Sequence, residues 1–225
     1  IYQLLIVENI KLTEFKFKKI IFYFNQGFDL FYSTFFVSVK DKTSILILGS
    51  IISHEIVVIY DFGMKLVSVM AMPIGILNSL IYPKIVRTRS IKLLYRTISI
   101  LFFYGVLTFF LSIFMFEYIP LGYFNIDDKH KDIMILFFII PMLMSISQTL
   151  ARNYLNAFGF RKEYFRTINF TTVCHFLLMT AICLIPISDF RNFVILVLVV
   201  FFSELLIRIF YFVKTKSLLS NANRN

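Results

Sequence analysis

Six stretches of this chain are apolar for about the thickness of a bilayer, and no single soluble core can hide them all. A membrane helix needs about 20 mostly apolar residues to cross roughly 30 Å of hydrocarbon. Ile20 to Ser53, Ile56 to Pro83, Thr97 to Phe116, Ile133 to Ala151, Thr167 to Ser188 and Asn192 to Val213 each meet that requirement. With 29 Phe in 225 residues, and 59% hydrophobic against 16% charged side chains, the expected fold class is all-α. The chain is read as a polytopic membrane protein, one six-helix transmembrane bundle.

Where the charges fall explains the net charge of +10. Lys11, Lys16, Lys18 and Lys19 precede the first span, and Lys84, Arg87, Arg89, Lys92 and Arg96 follow the second. Arg152, Arg161, Lys162 and Arg166 follow the fourth, and Lys214, Lys216 and Arg224 the sixth. The intervening loops are short or acidic, with Glu55, then Glu117, Asp127, Asp128 and Asp132, then Asp189. By the positive-inside rule the basic segments are cytoplasmic. The alternation holds only if Ile20 to Ser53 crosses once, despite its interruption by Lys40, Asp41 and Lys42. Both termini are therefore expected in the cytoplasm, with residues 1–19 as a connector and 214–225 as a tail. No signal peptide is visible, and a chain that opens on Ile with IYQLLIV is expected to be part of a longer protein.

Ionisable residues inside a span point to a bundle interior, a hydrated cavity or a functional partner. In the first span Asn25, Asp29, Ser33, Phe36, Lys40 and Ser44 recur at steps of three or four and share one face. That stripe either lines a hydrated path or packs against a sister helix through hydrogen bonds. In the second span, YDFGMKL carries Asp61 and Lys65 four apart. Lys65 and Lys42 lie at similar distances from the turn at His54, about 16 to 18 Å at helical rise, so Asp41 or Asp61 can neutralise Lys65. That charge level is a cavity mouth or a wet helix end. In the fourth span Ser145, Gln148, Thr149, Arg152, Asn153 and Asn156 cluster, and Arg152 is expected to snorkel to the headgroups. Glu204 and Arg208 have the spacing of a helix ion pair. His175, mid-span, is a packing residue or a proton carrier.

Tyr23, Tyr82, Tyr95 and Tyr211 are candidate interface anchors, and Gly63, Gly75 and Gly105 suit close helix approach. Cys174 and Cys183 share one apolar run and are expected as free thiols. No metal-ligand spacing, glycine-rich phosphate loop or catalytic constellation occurs, and the basic loops lack the module that nucleic-acid binding requires. No cofactor or metal is expected, and the basic loops fit an anionic bilayer surface.

The run DKTSILILGSIISHEIVVIYDFGMKLVSVMAMPIGILNSLIYPKI, residues 41–85, resembles the start of the second half of the Wzx-type O-antigen and polysaccharide flippases. Asp41, Glu55, Tyr60, Lys65 and Pro83 match that pattern in order, and Val58 departs from it where the family has Gly. LARNYLNAFGFRKEYFRTI, from Leu150, resembles the stretch after their tenth helix, and Ser203 with Glu204 a pair in their last. The likeness spans about residues 20 to 213. It implies the C-terminal half of a two-bundle transporter in a bacterial inner membrane, partnered by an N-terminal six-helix half, with no enzymatic step.

The implied substrate is an oligosaccharide on a polyprenyl diphosphate, moved between leaflets by alternating access. Asn25, Asp29, Lys40, Asp41, Lys42 and Lys65 then become candidates for the substrate path. Asp61, Arg152, Glu204 and Arg208 join them. Two other readings stand beside it: a drug or metabolite exporter of the same superfamily, and a membrane polysaccharide polymerase or ligase.

Overall fold

The computed structural model describes residues 31–32, 35–36, 38–40, 42–50, 53–118, 130–184 and 189–222, the side chains at 182–184 and 218–222 excepted. The chain divides after Val39 into two units. In the first, the rings of Phe31 and Phe35 stack 6.0 Å apart. Asn25 and Asp29 fall outside the described residues, as does Asp41 in the second unit.

The second unit is helical, with no strand among its described residues. Helical residues 42–50 lead to α1 (His54–Thr88) and α2 (Ile91–Tyr118), then α3 (Lys131–Phe137) and α4 (Ile139–Gln148). A π-helical segment, Thr149–Asn156, extends α4, and α5 (Arg161–Leu184) and α6 (Phe190–Ala222) complete the unit. Four helices are long and apolar enough to cross a membrane: His54–Thr88, Ile91–Tyr118, Lys131–Asn156 and Phe190–Ser217. They contain the second, third, fourth and sixth expected spans. The fifth overlaps α5, and half of the first lies outside the described residues.

Local chemistry sets the helix limits. Ser53 caps α1, its hydroxyl accepting from the Ile56 N–H at 3.3 Å. The helix passes through Pro83, expected to close the span, and stops only at Arg89, which turns left-handed at φ 45° and donates its N–H to the Ile85 carbonyl. Pro141 breaks α3 from α4: it has no N–H for the Phe137 carbonyl, and Phe138 instead closes a tighter turn on Ile135.

Lys131–Asn156 is the central helix, with 56% of its apolar window buried against 17%, 22% and 33% for the other three. Its closest neighbour is α2, because Gly105 lets Met142 approach: a Cβ there would stand 2.7 Å from Met142 Cα. Gly63 likewise admits the Phe137 ring, whereas Gly75 has nothing within 4 Å.

Two apolar clusters occupy the two ends of the bundle. One joins Tyr60, Val67, Phe116, Phe137, Met179, Phe193 and Val197; the other joins Ile85, Leu94, Tyr154, Leu155, Phe158 and Tyr211. Tyr211, a candidate anchor, is thus a core residue. The first cluster takes the beginnings of α1, α3 and α6 and the ends of α2 and α5, so neighbouring helices alternate in direction. Exposed Glu55, Glu117, Asp132 and Asp189 lie at its end, and exposed Arg87, Lys92, Arg96, Arg161, Arg166 and Lys214 at the other. Between the clusters lies a layer of buried polar side chains.

Candidate functional site

The polar layer begins with α6. Glu204 and Arg208, one turn apart, meet at 2.7 Å between Oε1 and Nη2. Glu204 Oε2 also accepts from Lys40 Nζ at 3.0 Å, and the side chains of Lys40 and Glu204 are only 10% and 13% exposed. Ser147 of α4 completes the set, accepting from Arg208 Nη1 at 2.7 Å. Glu204 lies 14 residues into α6 from Phe190 (204 − 190), about 21 Å at helical rise. The cluster therefore sits well inside the bundle.

Such a triad is stable because one carboxylate answers two cations and Ser147 fills a remaining donor. Desolvating an unanswered charge there costs several kcal/mol. Arg208 Nε alone of its donors has no partner. His175, 3% exposed, lies near Lys40 and Glu204, and neither of its ring nitrogens reaches a partner in bonding geometry.

A second buried set lies between α1 and the π-helical segment. Asn78 Oδ1 accepts from Asn153 Nδ2 at 2.7 Å and from Thr149 Oγ1 at 3.0 Å. Thr149 and Asn153 are four apart and share the face toward Asn78, and the single Thr149 hydroxyl proton is shared between Asn78 Oδ1 and the Ser145 carbonyl, 2.6 Å away. Asn78 is 1% and Asn153 0% exposed, yet Asn78 Nδ2 and Asn153 Oδ1 have no partner.

The third set is exposed. Asp61, Lys65, Ser68, Met72 and Ser79 recur along α1 at steps of three, four and seven, which keeps them within about 60° of one another. Lys65 pairs with Asp61 at 2.7 Å, with its side chain 74% exposed. Arg152, exposed on the π-helical segment, donates to Ser79 Oγ at 3.0 Å, its guanidinium 5.7 Å from the Tyr82 ring centre. Arg152 therefore leans on α1.

The sequence candidates thus separate. Lys40, Glu204 and Arg208 meet inside the bundle; Asp61, Lys65 and Arg152 share an exposed face; Lys42 is exposed and joins neither set. Of the expected charge level, Lys40 turns to Glu204 and Lys65 is held by Asp61 on its own helix, while Asp41 lies outside the described residues. Cys174 is a free thiol. Among the described residues no group of three or more His, Cys, Asp or Glu could hold a metal ion.

Sequence reasoning missed Asn78, Ser68, Ser79 and Ser147. No protein-family model, curated protein or solved structure matches the chain.

Proposed function

We propose that the chain is part of a membrane flippase for polyprenyl-diphosphate-linked oligosaccharides, its bundle supplying one wall of the substrate path. The observation that carries this reading is the exposed polar stripe on α1. From Asp61 to Ser79 it runs about 27 Å, most of a hydrocarbon thickness, within a helix apolar enough to span. An ion pair and an arginine facing lipid chains along that length are costly, so this face suits a hydrated path; the Ser68 and Ser79 hydroxyls are held by the Met64 and Gly75 carbonyls of their own helix.

Its chemistry favours an anionic, hydroxyl-rich substrate. Lys65 and Arg152 outnumber Asp61, and Arg152 spends one hydrogen bond on Ser79, which leaves guanidinium donors for phosphate oxygens. Serines and a tyrosine edge suit sugars. An exporter of organic cations would want uncompensated carboxylates on this face instead. The Lys40–Glu204–Arg208 triad then acts as the fixed interior of the moving bundle.

The six-span count, the bacterial inner membrane and the cytoplasmic termini belong to the same proposal. The exposed bases gathered at one end of the bundle and the exposed acids at the other support that orientation.

The test is transport by the full protein in liposomes loaded with a fluorescent prenyl-diphosphate oligosaccharide. The protein should accelerate its movement between leaflets, and Lys65→Glu should abolish that while leaving the protein in the membrane. Equal rates with and without protein would sink the reading.

A further inference from the structure

The buried amide pair between α1 and the π-helical segment lies directly behind an exposed contact. Asn78 and Ser79 are consecutive, as are Arg152 and Asn153. The inner two meet at 2.7 Å and the outer two at 3.0 Å. The exposed stripe and the buried pair are therefore two layers of one junction, with Arg152 on its accessible side.

The inner layer is incompletely bonded in a specific way. One orphan is a donor, Asn78 Nδ2, and the other an acceptor, Asn153 Oδ1. A buried amide group without a partner costs about 1–3 kcal/mol, and two adjacent ones inside a membrane bundle are unusual. Amide dimensions and the bond that joins them hold these two atoms within about 7 Å of each other, the reach of one hydroxyl or of two neighbouring hydroxyls on a ring. A hydroxyl meets both needs through one atom, accepting from an amide N–H and donating to an amide oxygen. A phosphate offers no donor and an ammonium no acceptor.

We propose that Asn78 and Asn153 form a hydroxyl-recognition site, opened when an anionic group draws Arg152 away from Ser79. A phosphate on Arg152 and a sugar hydroxyl on the amide pair would then be read side by side. This rests on the transport reading and adds to it the residues that sense the sugar.

Binding by the full protein in detergent tests it with two probes: a prenyl diphosphate carrying one N-acetylglucosamine, and the same prenyl diphosphate without sugar. The wild type should bind the sugar-bearing probe at least tenfold more tightly. The double variant N78L/N153L removes both amides together, so no buried partner is stranded, and Thr149 keeps its bond to Ser145. It should lose that preference to within twofold while holding the sugar-free probe as well as the wild type does. Arg152→Gln should weaken both probes and keep their ratio nearer to wild type.

If the double variant fails to accumulate, Asn153→Leu alone must show the same loss of preference. A preference that survives removal of the amides overturns the proposal. So does a wild type that binds both probes equally, which would leave the pair holding ordered water only. A wild type that binds neither probe overturns the transport reading and this site together.

Discussion

Lys40 Nζ stands 3.0 Å from Glu204 Oε2, an ion pair that joins side chains 164 positions apart inside an apolar bundle. It ties the helical stretch ahead of α1 to the last helix. Because Glu204 also holds Arg208, this one carboxylate decides whether two buried cations are answered.

Glu204→Gln should therefore destabilise the protein more than either cation's removal, by about 3–5 kcal/mol, since it strands two charges where the solvent cannot reach them. The triple variant K40M/E204M/R208M removes every charge together and should recover most of that loss. Thermal unfolding in detergent measures both. A Gln variant that melts with the wild type would mean that the triad is solvated.

Close packing makes an independent forecast. Gly105→Ala would put its methyl 2.7 Å from Met142 Cα, a backbone atom that cannot rotate away, so α2 and the central helix must part. A loss of about 1–3 kcal/mol is expected. Gly75→Ala meets nothing within 4 Å and sits inside α1, where it should be neutral or stabilise by up to about 1 kcal/mol. The same melting assay separates the two, and equal effects would count against the close α2–α4 crossing.

What the sequence discloses follows the range of each interaction. Glu204–Arg208 and Asp61–Lys65 are legible because a four-residue step on a helix brings them together whatever surrounds them. Lys40 is legible as a costly charge but not as the partner of Glu204, which depends on how distant helices pack. Ser68 and Ser79 are ordinary residues in sequence. Only their shared exposure with Lys65 turns them into a stripe. Asn78 carries no periodic signal, and its bond to Asn153 depends on how α1 packs against the π-helical segment. Gly63 and Gly105 are readable as small residues, yet nothing in the sequence distinguishes them from Gly75, where an added Cβ would meet nothing within 4 Å.

The ends of the bundle differ in sign, and the proposed orientation puts the basic end in the cytoplasm. Exposed Arg87, Lys92, Arg96, Arg161, Arg166 and Lys214 share the end at which α6 finishes. A fluorescent protein fused after residue 225 should therefore mature and fluoresce, whereas alkaline phosphatase at the same point should stay inactive. Active phosphatase there would invert the orientation.

The stripe on α1 makes the sharpest distinction, because water and lipid are told apart by a charged thiol reagent. Single cysteines at Lys65, Ser68 and Ser79, introduced after both native cysteines are replaced by Ala, should react with a membrane-impermeant methanethiosulfonate within minutes in the assembled protein. Cysteines at Phe103, Leu107 and Phe110 of α2, also exposed in this structure at 71%, 56% and 63%, should react far more slowly. All six positions are exposed, so the difference reads the medium each face meets: thiolate forms in water and not among hydrocarbon chains. Arg152 adds a second readout, since a guanidinium beside Ser79 favours the thiolate at that position. Residue 79 should thus lose reactivity when Arg152→Gln is added, and residue 65 should not. Slow, equal labelling on both helices would place the stripe in lipid and remove the basis for a hydrated path.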